Sequence, residues 1–166
     1  AAGQGPSPAA DKGLTQAKRS LGNIHRKGKN VPPDYANEVE WVRSAAEQGE
    51  AEAQYNLAIA YRDGLGVPQD NAEAVKWFQL SADQGFAKAH FNLGAMYYHG
   101  EGIPRDYIMA HMWFDIGARG GNEAARRSRD IVAEVINPAD VAEAQRLARE
   151  WLEQHEEKWS PRRMQN

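Results

Sequence analysis

Along residues 51–63 the apolar positions Ala53, Leu57, Ala60 and Tyr61 recur at three- and four-residue spacing, with mainly polar side chains between them. That spacing places them along one side of an α-helix and predicts a helix there. Gly64 and Gly66 end it, because a helix stop followed by a tight turn asks for positive φ, which a β-carbon resists. Pro68 blocks continuation, Asp70 is placed to cap a second helix, and Glu73 stands where a capping-box carboxylate reaches back. The second helix carries Ala74, Val75, Trp77, Phe78 and Ala82 on its apolar stripe, and Gly85 marks its end.

The same pattern returns every 36 residues, as the positions of Trp41, Trp77 and Trp113 show. Ala17, Ala53 and Ala89 align, as do Leu21, Leu57 and Leu93, then Gly22, Ala58 and Gly94. Pro32, Pro68 and Pro104 follow, with Asp34, Asp70 and Asp106, then Ala46, Ala82 and Ala118, and Gly49, Gly85 and Gly121 close the unit. Units of this length cannot bury a core alone, so repeats 15–50, 51–86 and 87–122 are expected to fold as one stack. Small residues at the shared positions let helix axes approach, and the three tryptophans are expected in the core.

The first unit departs from the pattern at His25, Lys29, Asn30 and Glu38, as suits a terminal repeat with one face in water. Beyond the third, Ala125, Ser128, Val132 and Val135 share one side of a helix over 123–136. Asn137, Pro138 and Asp140 then supply an N-cap, a first-turn proline and an acidic third position. The long helix they start turns Val141, Ala144, Leu147, Ala148, Trp151 and Leu152 inward. The expected organisation is a disordered leader over 1–13, a single repeat domain over 14–158 closed by capping helices 123–158, and a flexible tail over 159–166. The fold class is all-α, an α/α solenoid of about three helix-pair repeats.

The repeat reads A-x-x-x-L-G/A-x-x-Y-x-x-G-x-G-V/I-P-x-D-x-x-x-A-x-x-W-x-x-x-A/S/G-A-x-x-G and is met almost fully at 53–85 and 89–121. It resembles the Sel-one-like repeat family, relatives of the tetratricopeptide repeats. The resemblance implies a right-handed superhelix and a non-catalytic binding role, with the first helix of each unit lining a concave face. The helical period then turns Arg19, Asn23, Arg26 and Lys27 toward the groove in the first unit, and Glu52, Tyr55, Ile59, Arg62 and Asp63 in the second. Lys88, Phe91, Ala95, Tyr98 and His99 follow in the third, with Arg127, Ile131 and Glu134 in the closing pair. Aromatic and arginine side chains are favoured as interface anchors because they bury large area and bond directionally.

Twenty basic side chains face 23 acidic ones, a formal charge of −3, so the surface as a whole is no nucleic-acid platform. Lys12, Lys18, Arg19, Arg26, Lys27 and Lys29 nevertheless cluster with no acidic residue among 12–29, which points to an acidic or carboxylate-bearing protein or peptide partner. There is no cysteine, hence no disulfide framework or thiolate site. No apolar run approaches the ~20 residues that cross a bilayer, so membrane insertion is not expected. The Ala-, Gly- and Pro-rich opening is compatible with cleavage of an export signal, and a periplasmic or secreted protein is expected, with the cytoplasm as the alternative.

Gly64/Gly66 and Gly100/Gly102 follow a helix instead of opening one after a strand, so they are turns and not phosphate loops. His90, Met96, His99, Met109, His111 and Met112 crowd the third repeat as soft-metal ligands would. They align with unlike positions of the second repeat, however, and no metal, cofactor or enzymatic activity is assigned. Met109, Met112 and Ile116 replace Glu73, Lys76 and Leu80, a second contact patch for either the closing helices or another protein. The resemblance implies a non-catalytic protein-binding adaptor, and since bacterial members commonly act in the cell envelope, that setting is expected. The alternative is recognition of a cell-wall glycan or glycopeptide, or inhibition of an enzyme acting on it, through Tyr55, Phe91 and Tyr98.

Overall fold

The computed structural model describes residues 35–155, and these form seven α-helices and no strand. The helices are α1 (Tyr35–Glu47), α2 (Ala51–Asp63), α3 (Asn71–Asp83), α4 (Ala87–His99), α5 (Tyr107–Arg119), α6 (Glu123–Val135) and α7 (Pro138–Gln154). The architecture is an all-α helical repeat. The expected leader 1–13, the basic stretch 12–29, the first helix of the first repeat and the tail 159–166 lie outside the described residues. The chain divides into two compact units, Ala1–Trp77 and Phe78–Asn166, with α3 running from one into the other.

In the first unit α1 packs on α2. Val39, Val42 and Ala46 from α1 and Ala53, Leu57, Ala58 and Ala60 from α2 are buried. The connection at 48–50 turns on Gly49 at φ 93°, whose N–H bonds the Ala46 carbonyl at 3.0 Å. Gln54 is buried and its Nε2 donates to the same Ala46 carbonyl at 3.2 Å, so a polar side chain in the core satisfies a helix end. Gly64 closes α2 at φ 67° and Gly66 continues the turn at φ 71°. Asp70 Oδ1 then accepts the Glu73 N–H at 3.0 Å, the cap expected from the sequence. The Glu73 carboxylate engages Lys76.

The second unit is organised around α5. Helices α4, α6 and α7 all pack against it, and every residue from Ala110 to Ala118 is buried. A helix covered on all sides needs no polar face, which accounts for the apolar Met112 and Ile116 where other repeats are mostly polar. Two close approaches tighten the packing. A β-carbon on Gly94 would stand 2.6 Å from the Phe114 ring, and one on Gly117 would stand 3.0 Å from the Ala125 Cβ, so α4 and α6 sit nearer to α5 than alanine allows. Asp115 is 4% exposed on α5 and accepts from Arg119 Nε at 3.0 Å and from Arg129 Nη1 of α6 at 3.1 Å. Asn137 caps α7 through the Asp140 N–H at 2.8 Å, with Pro138 in the first turn.

The tryptophans do not share one environment. Trp113 is 2% exposed, Trp77 is half-buried and Trp41 is 43% exposed, so the expectation of three core residues is corrected. Helix α5 is covered by α7 on the side that carries Trp113, and the two rings Trp113 and Trp151 meet edge to face at 5.6 Å. No ring contact among the described residues involves Trp41, whose side chain stays partly exposed to solvent.

Candidate functional site

The first helices α4 and α6 flank a cleft of about 230 Å³ in the second unit. Its lining combines Phe91, Ala95, Tyr98 and His99 of α4 with Ser128, Ile131 and Val132 of α6, over a floor made by Phe114 of α5. The floor is fixed by the absent β-carbon at Gly94, which lets the Phe114 ring lie flush against α4. Phe91 and Phe114 meet at 5.8 Å between ring centroids, and Tyr98 leans on Tyr107 at 5.4 Å and on His99 at 5.0 Å. The walls are thus braced by rings that are already packed, which leaves little rotamer freedom to lose on binding.

One lip of the cleft is exposed apolar surface. Ile131 is 54% exposed, and Val135, one turn further along α6, is 58% exposed. Side chains four residues apart lie on the same helix face, so the two form one strip beside the opening. Covering what remains exposed contributes roughly 1 kcal/mol for each side chain, about half the value for full burial. Arg127 is exposed one turn before Ile131 on the same helix.

Five side chains expected on one stripe, Phe91, Ala95, Tyr98, His99 and Ile131, converge here. Others do not. In the first unit Tyr55 is half-buried, Ile59 is 5% exposed and belongs to the packing, and Arg62 is turned onto its neighbour Asp63 through Nε at 2.8 Å and Nη2 at 3.0 Å. Arg19, Asn23 and Arg26 fall outside the described residues. Met109 is half-buried while Met112 is 5% exposed and Ile116 is fully buried, so the second patch is largely core, taken up by the packing around α5. Phe114, Ser128 and Val132 were not expected at a site. Phe114 aligns with Phe78, which is also buried, and the sequence signal for both is that of core.

The three histidines of this region have separate environments. His99 is exposed at the rim, whereas His90 and His111 are buried. The His90 Nε2 lies 3.2 Å from the Ala82 carbonyl, which can only accept, so Nε2 carries the proton. Burial pushes the His90 pKa down to about 4, against the opposing effect of that hydrogen bond. Burial also lowers the His111 pKa, with Asp115 working the other way. Among the described residues no group of three or more His, Cys, Asp or Glu side chains is arranged to hold a metal ion. No described helix is long and apolar enough to cross a membrane.

Helix pairs that recur in this way, with a cleft between two first helices, define an α-helical repeat protein. The Sel1 repeat family matches residues 15–50, 51–86 and 87–122, more than half of the chain, and the chain belongs to that family. Proteins of this family generally mediate protein–protein interactions and are typically non-catalytic scaffolds. No curated protein sequence matches the chain significantly. Among solved structures it is similar to c5321, a protective antigen present in uropathogenic Escherichia coli strains displaying an SLR fold, at 30% identity and a TM-score of 0.77. That match covers 92% of this chain and 33% of the Escherichia coli chain, so the present chain spans about a third of that neighbour. A Sel1 repeat protein from Oxalobacter formigenes is similar at 31% identity and a TM-score of 0.58, over 73% of this chain and 91% of the other.

Proposed function

We propose that the chain is a non-catalytic adaptor that holds a protein or peptide partner, with the α4–α6 cleft seating an apolar side chain of that partner. The observation that carries this reading is the cleft itself: braced aromatic walls beside an exposed Ile131–Val135 strip. A central apolar anchor surrounded by polar residues is the usual anatomy of an interaction hot spot. Arg127 on the same helix, together with the basic stretch 12–29, supports an acidic partner. The proposed setting is the bacterial cell envelope, as the family resemblance implies, and cell fractionation tests it.

The test of the cleft uses surface substitutions, which leave the core intact. Ile131→Glu and Val135→Glu place charge on the strip, and affinity for the partner is expected to fall at least about tenfold while the helical circular dichroism signal is kept. Unchanged affinity in both variants contradicts the reading.

A further inference from the structure

A second cavity, of about 630 Å³, lies in the same unit between the end of α3, α5 and the end of α7, and shares no lining residue with the α4–α6 cleft. Its volume falls within the roughly 300–1,000 Å³ of small-ligand sites. Asp83 and Glu150 line it, and no lysine or arginine is among the described lining residues. Glu150 has to share Arg146, which stands outside the lining, with Glu143. Asp83 has no cationic partner among the described residues: Gln79 Nε2 donates to its Oδ1 at 3.0 Å, and an amide brings no charge. The backbone adds field of the same sign. Asp83 ends α3 and Gln154 ends α7, neither helix has a basic residue in its last turn, and a helix C-terminus carries partial negative charge.

The polar atoms left over are mainly acceptors. Gln79 commits its amide nitrogen to Asp83, which leaves Gln79 Oε1 and Asp83 Oδ2 to accept. His155 Nδ1 lies 2.7 Å from the Trp151 carbonyl, which can only accept, so Nδ1 carries the proton and Nε2 of the neutral ring is an acceptor. A bare metal ion asks for several such ligands around one point, and among the described residues no group of three is so arranged. A guanidinium is planar, carries five N–H donors and accepts nothing, so it suits acceptors spread over α3 and α7. Met109 and Leu147 supply apolar wall for the methylene stem that carries it.

We infer that this cavity binds a guanidinium group on an apolar stem, the chemistry of an arginine side chain, independently of any partner seated in the α4–α6 cleft. The full chain, labelled with ¹⁵N, is titrated with N-acetyl-argininamide and with its neutral isostere N-acetyl-citrullinamide, and the Trp151 indole and the Gln79 and Gln154 amide resonances are followed. A saturable shift is expected with the arginine compound and none with the citrulline compound. Asp83→Asn is expected to weaken binding about tenfold, through loss of a charge-assisted bond. Glu153→Gln removes the same charge from an exposed side chain of α7 outside the lining and is expected to leave binding unchanged. Arg162 and Arg163 follow His155 in the sequence, so the titration is repeated on the chain carrying Arg162→Gln and Arg163→Gln. Equal affinity there assigns the site to a separate molecule, and affinity raised severalfold shows the chain's own arginines competing for it. No saturable shift in either protein at millimolar concentration overturns the inference. Equal shifts with the citrulline compound or with N-acetyl-lysinamide overturn it too, because the cavity then does not select a guanidinium. A loss with Glu153→Gln as large as with Asp83→Asn also overturns it, because the attraction then belongs to the overall negative charge.

Discussion

Helices α1 and α5 hold the same place in their repeats, yet one leaves its tryptophan 43% exposed and the other buries its tryptophan to 2%. The flanking turns are alike: Gly49 and Gly121 both follow the helix with φ near 90°, and each N–H bonds the carbonyl three residues earlier at 3.0 Å. What differs is the cover. Helix α5 is packed by α4, α6 and α7, whereas α1 packs on α2 among the described residues. The repeat therefore sets the helix, its ends and its inner face, while the outer face is decided by what the chain brings to it afterwards. The closing helix α7 is that addition in the second unit.

The sharpest way to break this comparison is to remove both rings. Trp113→Ala is expected to cost about 3–5 kcal/mol, as for other buried large-to-alanine changes, and Trp41→Ala about 1 kcal/mol or less. Urea unfolding of the two variants measures the difference, and equal losses end the argument from cover.

The buried imidazole offers a comparison of nearly the same size. Gln54 and His90 occupy equivalent positions, and each donates to the carbonyl eight residues earlier at 3.2 Å. Only the histidine titrates. Its folded pKa is depressed from 6.5 to about 4 by burial, so its contribution is complete above pH 6.5 and is lost as pH falls toward 4. The loss reaches up to roughly 3 kcal/mol. Replacing His90 with the glutamine of the other repeat keeps the donor and is expected to flatten the stability profile between those pH values. A profile as steep in His90→Gln as in the wild type assigns the acid sensitivity to other groups.

Smaller effects follow from backbone approach. Gly94→Ala drives a methyl group into the Phe114 ring and is expected to cost about 1–3 kcal/mol, although Ala58 at the equivalent position carries the same methyl group. Thermal unfolding checks it, and a neutral outcome shows that Phe114 can withdraw. The caps give the smallest contrast. Asp70 and Asp106 each accept the N–H three residues on at 3.0 Å, so Asp70→Ala and Asp106→Ala are expected to cost about 1 kcal/mol apiece. Denaturant midpoints that differ widely between them mean the two turns are not equivalent after all.

These contrasts mark where a sequence can be read. Turns and caps such as Gly64, Asp70 and Asn137 are local chemistry, and the residues that make them act within four positions of themselves. The helical period gives the faces of α4 and α6 that carry Phe91, Tyr98 and Ile131, and the family resemblance implied that the two faces look into one groove. The exposure of Trp41 was not legible, since burial of an outer face depends on a helix far away in the chain. Likewise the excess of apolar residues at Met112 and Ile116 was visible, but its cause is α7, which the repeat does not contain. The cleft floor was hidden for a third reason: Phe114 matches the core residue Phe78, and only the close approach at Gly94 turns it into part of a surface.

The central claim is that the α4–α6 cleft, and not exposed apolar surface in general, holds the partner. Quantitative capture from the native lysate with wild type, Ile131→Glu and Trp41→Glu separates the two, because both substituted side chains are about half exposed and neither belongs to the core. The account predicts the same protein retained by wild type and by Trp41→Glu, and reduced at least about tenfold by Ile131→Glu. Equal retention by Ile131→Glu, or loss with Trp41→Glu alone, contradicts it.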